Sequence, residues 1–152
     1  MSVDVLNHRF TVAASPGEIV AYMTDPANYV ELNPFVDSVG DVREVDGAVE
    51  FTAVERIRLF GPIHQKNLLR LVVRSEGSAS RVIYDVTTRA GVVVHIVTEL
   101  AEAGGGTDVR DTFTLTVPRV ARGFALRQAR IAQQHKAVVL GRLVAAPLGE
   151  TS

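Results

Sequence analysis

Between residues 36 and 117 apolar and polar side chains alternate one by one, and the runs of alternation are separated by turn signals. Asp46-Gly47, Gly61-Pro62, the SEGSAS stretch, Ala90-Gly91 and AGGG divide the region into strands near 36–45, 48–60, 62–75, 81–89, 92–102 and 107–117. Another strand is expected near residues 4–13. After it, SPGE supplies Ser15 as an N-cap, Pro16 at the first helical position and Glu18 to close a capping box, so a helix starts there. Asp25-Pro26 ends that helix, and Asn33-Pro34 ends a second short one in DPANYVELNPFV. From residue 119 to 146 the period changes to that of one long proline-free helix.

Alternation assigns the faces of the strands. Val109, Asp111, Phe113, Leu115 and Val117 point inward in the last strand, as do Tyr84 and Thr98 in the two before it. The polar members of this apolar face are Glu55, Gln65, Asn67, Thr98 and Asp111, and each needs a partner, water or a ligand, because an unpaired buried polar group costs several kcal/mol. On the outer face Arg70 is expected beside Asp85 and Asp85 beside His95, with Arg81, Glu99 and Arg110 forming a second ladder. The outward cluster Arg56, Arg58, His64, Lys66 and Arg74 is basic but not interleaved with aromatics.

At about 100° per residue, Val120, Phe124, Ile131 and Val138, with Ala121, Ala132, Val139 and Leu143, form one broad stripe on the long helix. Gln128, His135 and Arg142 run down its centre at a spacing of seven. Two readings stay open for them: a wet mouth that lets them reach water, or a polar floor in a ligand cavity. Path lengths from the turn at Pro118 bring Asp111 and His135 to similar distances, about 23 and 25 Å along the chain, so the two could meet as a carboxylate-held imidazole.

Composition narrows the chemistry. The 152 residues have a net charge of −1 and no cysteine. They read as one domain spanning 1–152, with 147–152 expected to be a disordered tail. Disulfides, thiolate metal sites and cysteine nucleophiles are excluded. His8, His64, His95 and His135 sit on separate elements, no HxxxH or HxH occurs, and no metal or other cofactor is expected. Neither a signal sequence nor an apolar run of spanning length is read in the chain, which points to the cytoplasm.

The order of one strand, two short helices, a six-strand meander and a long terminal helix resembles the helix-grip fold of the START-like, or SRPBCC, superfamily. ASPGEIVAYMTDPANYVELNPFV is similar to that family's opening, and GGGTDVRDTFTL precedes its last strand. Leu32 departs from it, standing where many members carry a tryptophan. The resemblance implies an α+β fold in which a curved seven-stranded antiparallel sheet wraps the long helix and the short helices close one end. It also implies a cavity for a hydrophobic small molecule of lipid, quinone or polyketide type. Tyr29, Leu32, Phe35, Glu55, Gln65, Asn67, Tyr84, Thr98, Phe113, Phe124, Gln128 and Ile131 are the expected ligand contacts, with core packing the competing reading of Tyr29, Leu32 and Phe35. A polyketide cyclase or dehydratase using Asp111 and His135 is the alternative. A ribosome-associated or chaperone-like module acting through the basic outer face is a third reading. No nucleic-acid partner is expected; peripheral membrane contact, and a monomer or a homodimer, stay open.

Overall fold

The computed structural model describes residues 1–60, 63–78, 80–88 and 91–143, without the side chains of 58–60, 63 and 64. The expected tail at 147–152 and the turn at Gly61-Pro62 lie outside these residues, as do the side chains of Arg58 and His64.

Seven strands form one antiparallel sheet: β1 (Ser2–Val12), β2 (Val36–Val45), β3 (Ala48–Phe60), β4 (Ile63–Glu76), β5 (Arg81–Thr88), β6 (Val93–Ala103) and β7 (Gly106–Val117), in the order β1-β7-β6-β5-β4-β3-β2. Between β1 and β2 lie α1 (Pro16–Met23), a 3-10 turn at Pro26–Asn28 and α2 (Tyr29–Leu32). A second 3-10 turn at Arg119–Ala121 leads into α3 (Arg122–Gly141). This is the helix-grip arrangement. The long helix forms as expected, but its first turn is wound as 3-10 and it ends at Gly141 rather than at 146.

Local chemistry explains the boundaries. The Glu18 amide donates to Ser15 Oγ at 3.3 Å and the Ser15 amide to Glu18 Oε1 at 3.4 Å, the two halves of a capping box. Asp25 caps the 3-10 turn by accepting from the Ala27 amide at 3.0 Å, and the Asn33 side chain accepts from the Phe35 amide at 2.9 Å where α2 gives way to β2. Asp46 and Gly47 both take positive φ, 50° and 79°, as a two-residue hairpin of the primed type requires.

The ladders largely reproduce the expected registers: Asp85 faces His95, Arg81 faces Glu99, Glu99 faces Arg110, and Thr98 faces Asp111. One is displaced. Arg70 faces Thr87, and Asp85 faces Val72, because β4 runs on to Glu76 and the hairpin closes later than the turn residues suggested. Asp85 instead receives Arg74 at 3.5 Å and His95 Nδ1 at 2.5 Å. Arg56 pairs with Asp37 at 2.9 Å and Arg74 also with Glu76 at 3.4 Å, so the outer basic cluster is partly neutralised by its own neighbours.

The helix stripe requires a correction. Of the expected stripe, Val139 is buried and Leu143 packs on the core, whereas Phe124, Ile131 and Val138 are exposed; Gln133, Lys136 and Leu140 complete the buried face, with Ala125, Leu126 and Ala129 packed beside them. The buried face is therefore rotated by roughly a third of a turn from the one the large apolar residues suggested. The helix packs over β1 and β7 and touches α2. What it meets there selects its phase: Gln133 Nε2 donates to the carbonyls of Leu6 at 3.0 Å and Asp111 at 3.2 Å.

Candidate functional site: a buried Lys-Asp-Thr centre

Asp111 lies at the middle of β7 with its side chain fully buried. Across the sheet it stands between His8 of β1 and Thr98 of β6, so a polar row crosses the inner face beneath α3. Lys136 reaches down from the helix into this row. Its Nζ donates to Asp111 Oδ1 at 2.9 Å and to Thr98 Oγ1 at 2.8 Å, and the Thr98 hydroxyl donates to Asp111 Oδ1 at 2.8 Å. The ammonium also sits 5.8 Å from the centre of the Tyr84 ring and 5.7 Å from that of Phe113. Buried ion pairs persist only where such hydrogen bonds offset the loss of hydration.

The centre is not fully satisfied. Asp111 Oδ2 and His8 Nδ1 are buried with no hydrogen-bond partner among the described residues, and so is Gln128 Nε2 on α3. The first two belong to directly opposed positions of β1 and β7, where Cβ atoms stand about 5 Å apart. The two orphaned atoms mark this row as an incompletely satisfied part of the buried core.

Aromatic rings wall the centre on one side. Tyr84 donates its hydroxyl proton to the Met23 carbonyl and stacks on Tyr29 at 5.8 Å, and Tyr29 meets Phe51 edge-on at 5.6 Å. Burial pushes the Tyr29 hydroxyl up to about 12, against the hydrogen bond from Asn33, and burial drives Tyr84 well above the ordinary tyrosine range.

Beyond Tyr29, Glu55 on β3 faces Asn67 on β4. Burial raises the Glu55 carboxyl above its usual range, and the Asn67 hydrogen bond opposes the rise. A raised folded-state pKa contributes stability that is present below the unfolded value and lost as pH climbs through the folded value. Glu55→Gln should therefore raise the melting temperature at neutral pH, and the gain should vanish below about pH 4, which a series of thermal melts would measure.

The other expected site residues are dispersed. Tyr29 and Leu32 are core residues; Phe35 is half-buried. Gln65 is exposed, and Phe124 and Ile131 face outward on α3, so the structure does not bring these three to the centre. His135 is turned from Asp111 toward α2, where Nε2 lies 2.9 Å from the Glu31 carbonyl; the partner of Asp111 is the next residue, Lys136. Lys136 and Gln133 carry no local signal of burial, since both are of types that normally stay wet, and His8 is of a type buried only about as often as not. An inward carboxylate on β7 was the available signal that some cation on α3 must turn in.

A groove of about 1080 Å³ runs over the outer face of β2–β5, past Arg43, Glu50, Thr52, Arg70, Asp85 and Thr87. Its charged lining differs from the apolar wall around Lys136. Among the described residues no group of three or more His, Cys, Asp and Glu is placed to hold a metal, and no helix is long and apolar enough to cross a membrane.

Comparison with known proteins agrees with this architecture. An aromatase/cyclase, Zhui of Streptomyces sp. R1128, superposes with a TM-score of 0.74 at 13% identity, over 91% of this chain and 92% of that one. A START superfamily protein of Mycobacterium smegmatis gives 0.64 at 13% identity, over 90% and 98%. The di-domain aromatase/cyclase BexL from the BE-7585A biosynthetic pathway gives 0.72 at 15% identity over 95% of this chain, which spans 51% of that protein. At such identities the likeness is one of fold. No match is found among curated protein sequences. The family profile described as polyketide cyclase / dehydrase and lipid transport matches residues 5–146. The chain therefore belongs to that family, within the START-like, SRPBCC superfamily.

Proposed function

We propose that the protein binds a largely apolar small molecule carrying a hydroxyl group, and that this hydroxyl is received by Asp111 and His8. The observation that carries the reading is the pair of orphaned atoms, Asp111 Oδ2 and His8 Nδ1, on opposed strands beside a Lys136 whose charge is already engaged. Oδ2 can only accept from a neutral ligand, while an imidazole nitrogen can donate or accept according to tautomer. A hydroxyl does both, so one group can serve the two atoms. The surrounding Tyr84 and Phe113 rings suit an aromatic or polycyclic body. Family membership agrees with this class of ligand, since its description spans polyketide processing and lipid transport.

A cyclase or dehydratase is the second reading, drawn from the family description and the fold shared with Zhui. In that case Asp111 Oδ2 is the acceptor for a substrate proton and acts without His135, whose Nε2 lies against the Glu31 carbonyl. Binding is preferred because Asp111 already holds an ammonium and a hydroxyl on its other oxygen, the arrangement of a fixed structural pair.

Native mass spectrometry of the purified protein tests the proposal. A co-purified mass of a hydroxylated apolar compound is expected in the native chain and its loss in Asp111→Leu/Lys136→Met, a variant that keeps the centre neutral and removes the acceptor. Retention of the same compound by that variant would place the ligand elsewhere, and a bare protein that takes up no hydroxylated aromatic would make water the occupant of the centre.

A further inference from the structure

The face of α3 opposite the buried one carries Phe124, Ile131 and Val138 at intervals of seven, continued by Val120 in the preceding turn. Their exposures are 48%, 45%, 55% and 98%. On a helix these positions lie within about 40° of one another, so they form one line, about 21 Å long from Phe124 to Val138. Arg127 lies in the same stripe and Arg130 beside it, both exposed. Charge is segregated to match: residues 119–142 hold six of the chain's 16 lysines and arginines and none of its 17 acidic residues, although the net charge of the chain is only −1. Lys136 is buried in the centre and Arg122 is clamped to Asp4 at 2.8 Å, which leaves Arg119, Arg127, Arg130 and Arg142 exposed along or beside the stripe.

We propose that this face of α3 docks on an anionic lipid surface, with Phe124, Ile131 and Val138 entering the interfacial region and Arg127 and Arg130 meeting the phosphates. The sequence of events is set by the chemistry: arginines attract the negatively charged leaflet within a Debye length, and the apolar line then gains by leaving water. A second copy of the chain fits less well, since an isologous contact across the stripe sets arginine against arginine with no carboxylate on α3 to separate them. Docking through this face leaves Gln133 and Lys136, on the opposite side of the helix, in place.

Co-sedimentation with phosphatidylcholine vesicles, with and without phosphatidylglycerol, tests the proposal. The native protein should partition at least about tenfold more strongly onto the anionic vesicles, and high salt should remove the difference. Phe124→Ser/Ile131→Ser should weaken binding by about tenfold or more, and so should Arg127→Gln/Arg130→Gln, with melting temperatures held because these side chains are exposed. Val42→Ser, an equally exposed apolar residue on β2, should bind like the native chain. Absence of binding to anionic vesicles at low salt overturns the proposal. Equal binding by the native chain and either double variant overturns it too, as does concentration-dependent self-association lost in Phe124→Ser/Ile131→Ser while vesicle binding is unchanged.

Discussion

Replacing Lys136 with methionine should destabilise the protein by about 3–5 kcal/mol, because the change strands the Asp111 carboxylate, fully buried, with Thr98 as its remaining partner. Methionine fills much of the space of the lysine stem, so lost volume is not the main cause. The companion substitution separates the terms. Asp111→Leu/Lys136→Met removes both charges and should recover most of that loss, since a buried pair is often close to neutral against an apolar pair of similar size. Urea denaturation of the native chain, both single variants and the double variant closes the cycle. A double variant as unstable as Lys136→Met would show that the ammonium stabilises the fold through something other than Asp111.

Tyr29→Ala should cost a comparable amount, about 3–5 kcal/mol, by emptying a buried aromatic site. Tyr29 lies between Tyr84 and Phe51, so its removal also frees the ring over which Lys136 sits. Tyr29→Phe is the control. It keeps both ring contacts and gives up only the contact of the hydroxyl with Asn33 Nδ2 at 3.3 Å, so its cost should be near 1 kcal/mol. A Tyr29→Ala variant that unfolds at nearly the native urea concentration would instead mark Tyr29 as a movable gate residue.

These two variants touch the parts of the molecule that were least and most legible in its sequence. The helix start at Ser15, the Asp25 cap before α2 and the inward placement of Asp111 could all be read directly, because a cap needs particular side chains and a strand has only two faces. The Asp85–Arg70 pairing is displaced because β4 runs one residue past the expected 75, so each of its residues meets a β5 partner two positions later than the turn residues imply. Helix phase was the larger failure. A helix can turn through any angle, and α3 carries two competing lines, one of Phe124, Ile131 and Val138 and one of Ala125, Ala129, Gln133, Lys136 and Leu140. The larger side chains suggested the first. The second is buried because small residues allow close approach to β1 and β7, and because Gln133 and Lys136 find acceptors at Leu6, Asp111 and Thr98. None of those partners is near in sequence, so no local pattern carries them.

The partner of Asp111 follows from the phase of α3. His135 lies one residue from the position that faces Asp111, and one residue on a helix is about 100°, enough to turn an imidazole from the carboxylate to the Glu31 carbonyl. Acid or base chemistry built on an Asp111–His135 contact thereby lost its geometry, while the need of Asp111 for a buried partner was met by Lys136.

The central claim is that Asp111 and His8 together receive a hydroxyl, and the most direct measurement compares two probes that differ only there. Titration with 2-naphthol and with 2-methoxynaphthalene, followed by fluorescence, reads the contribution of one donated hydrogen bond to a charged acceptor. The native protein should bind the naphthol about tenfold to a hundredfold more tightly, and Asp111→Leu/Lys136→Met, which removes the carboxylate acceptor and keeps the centre neutral, should lose most of that preference. Equal affinities in the native protein, or a preference that survives in the double variant, would contradict the assignment.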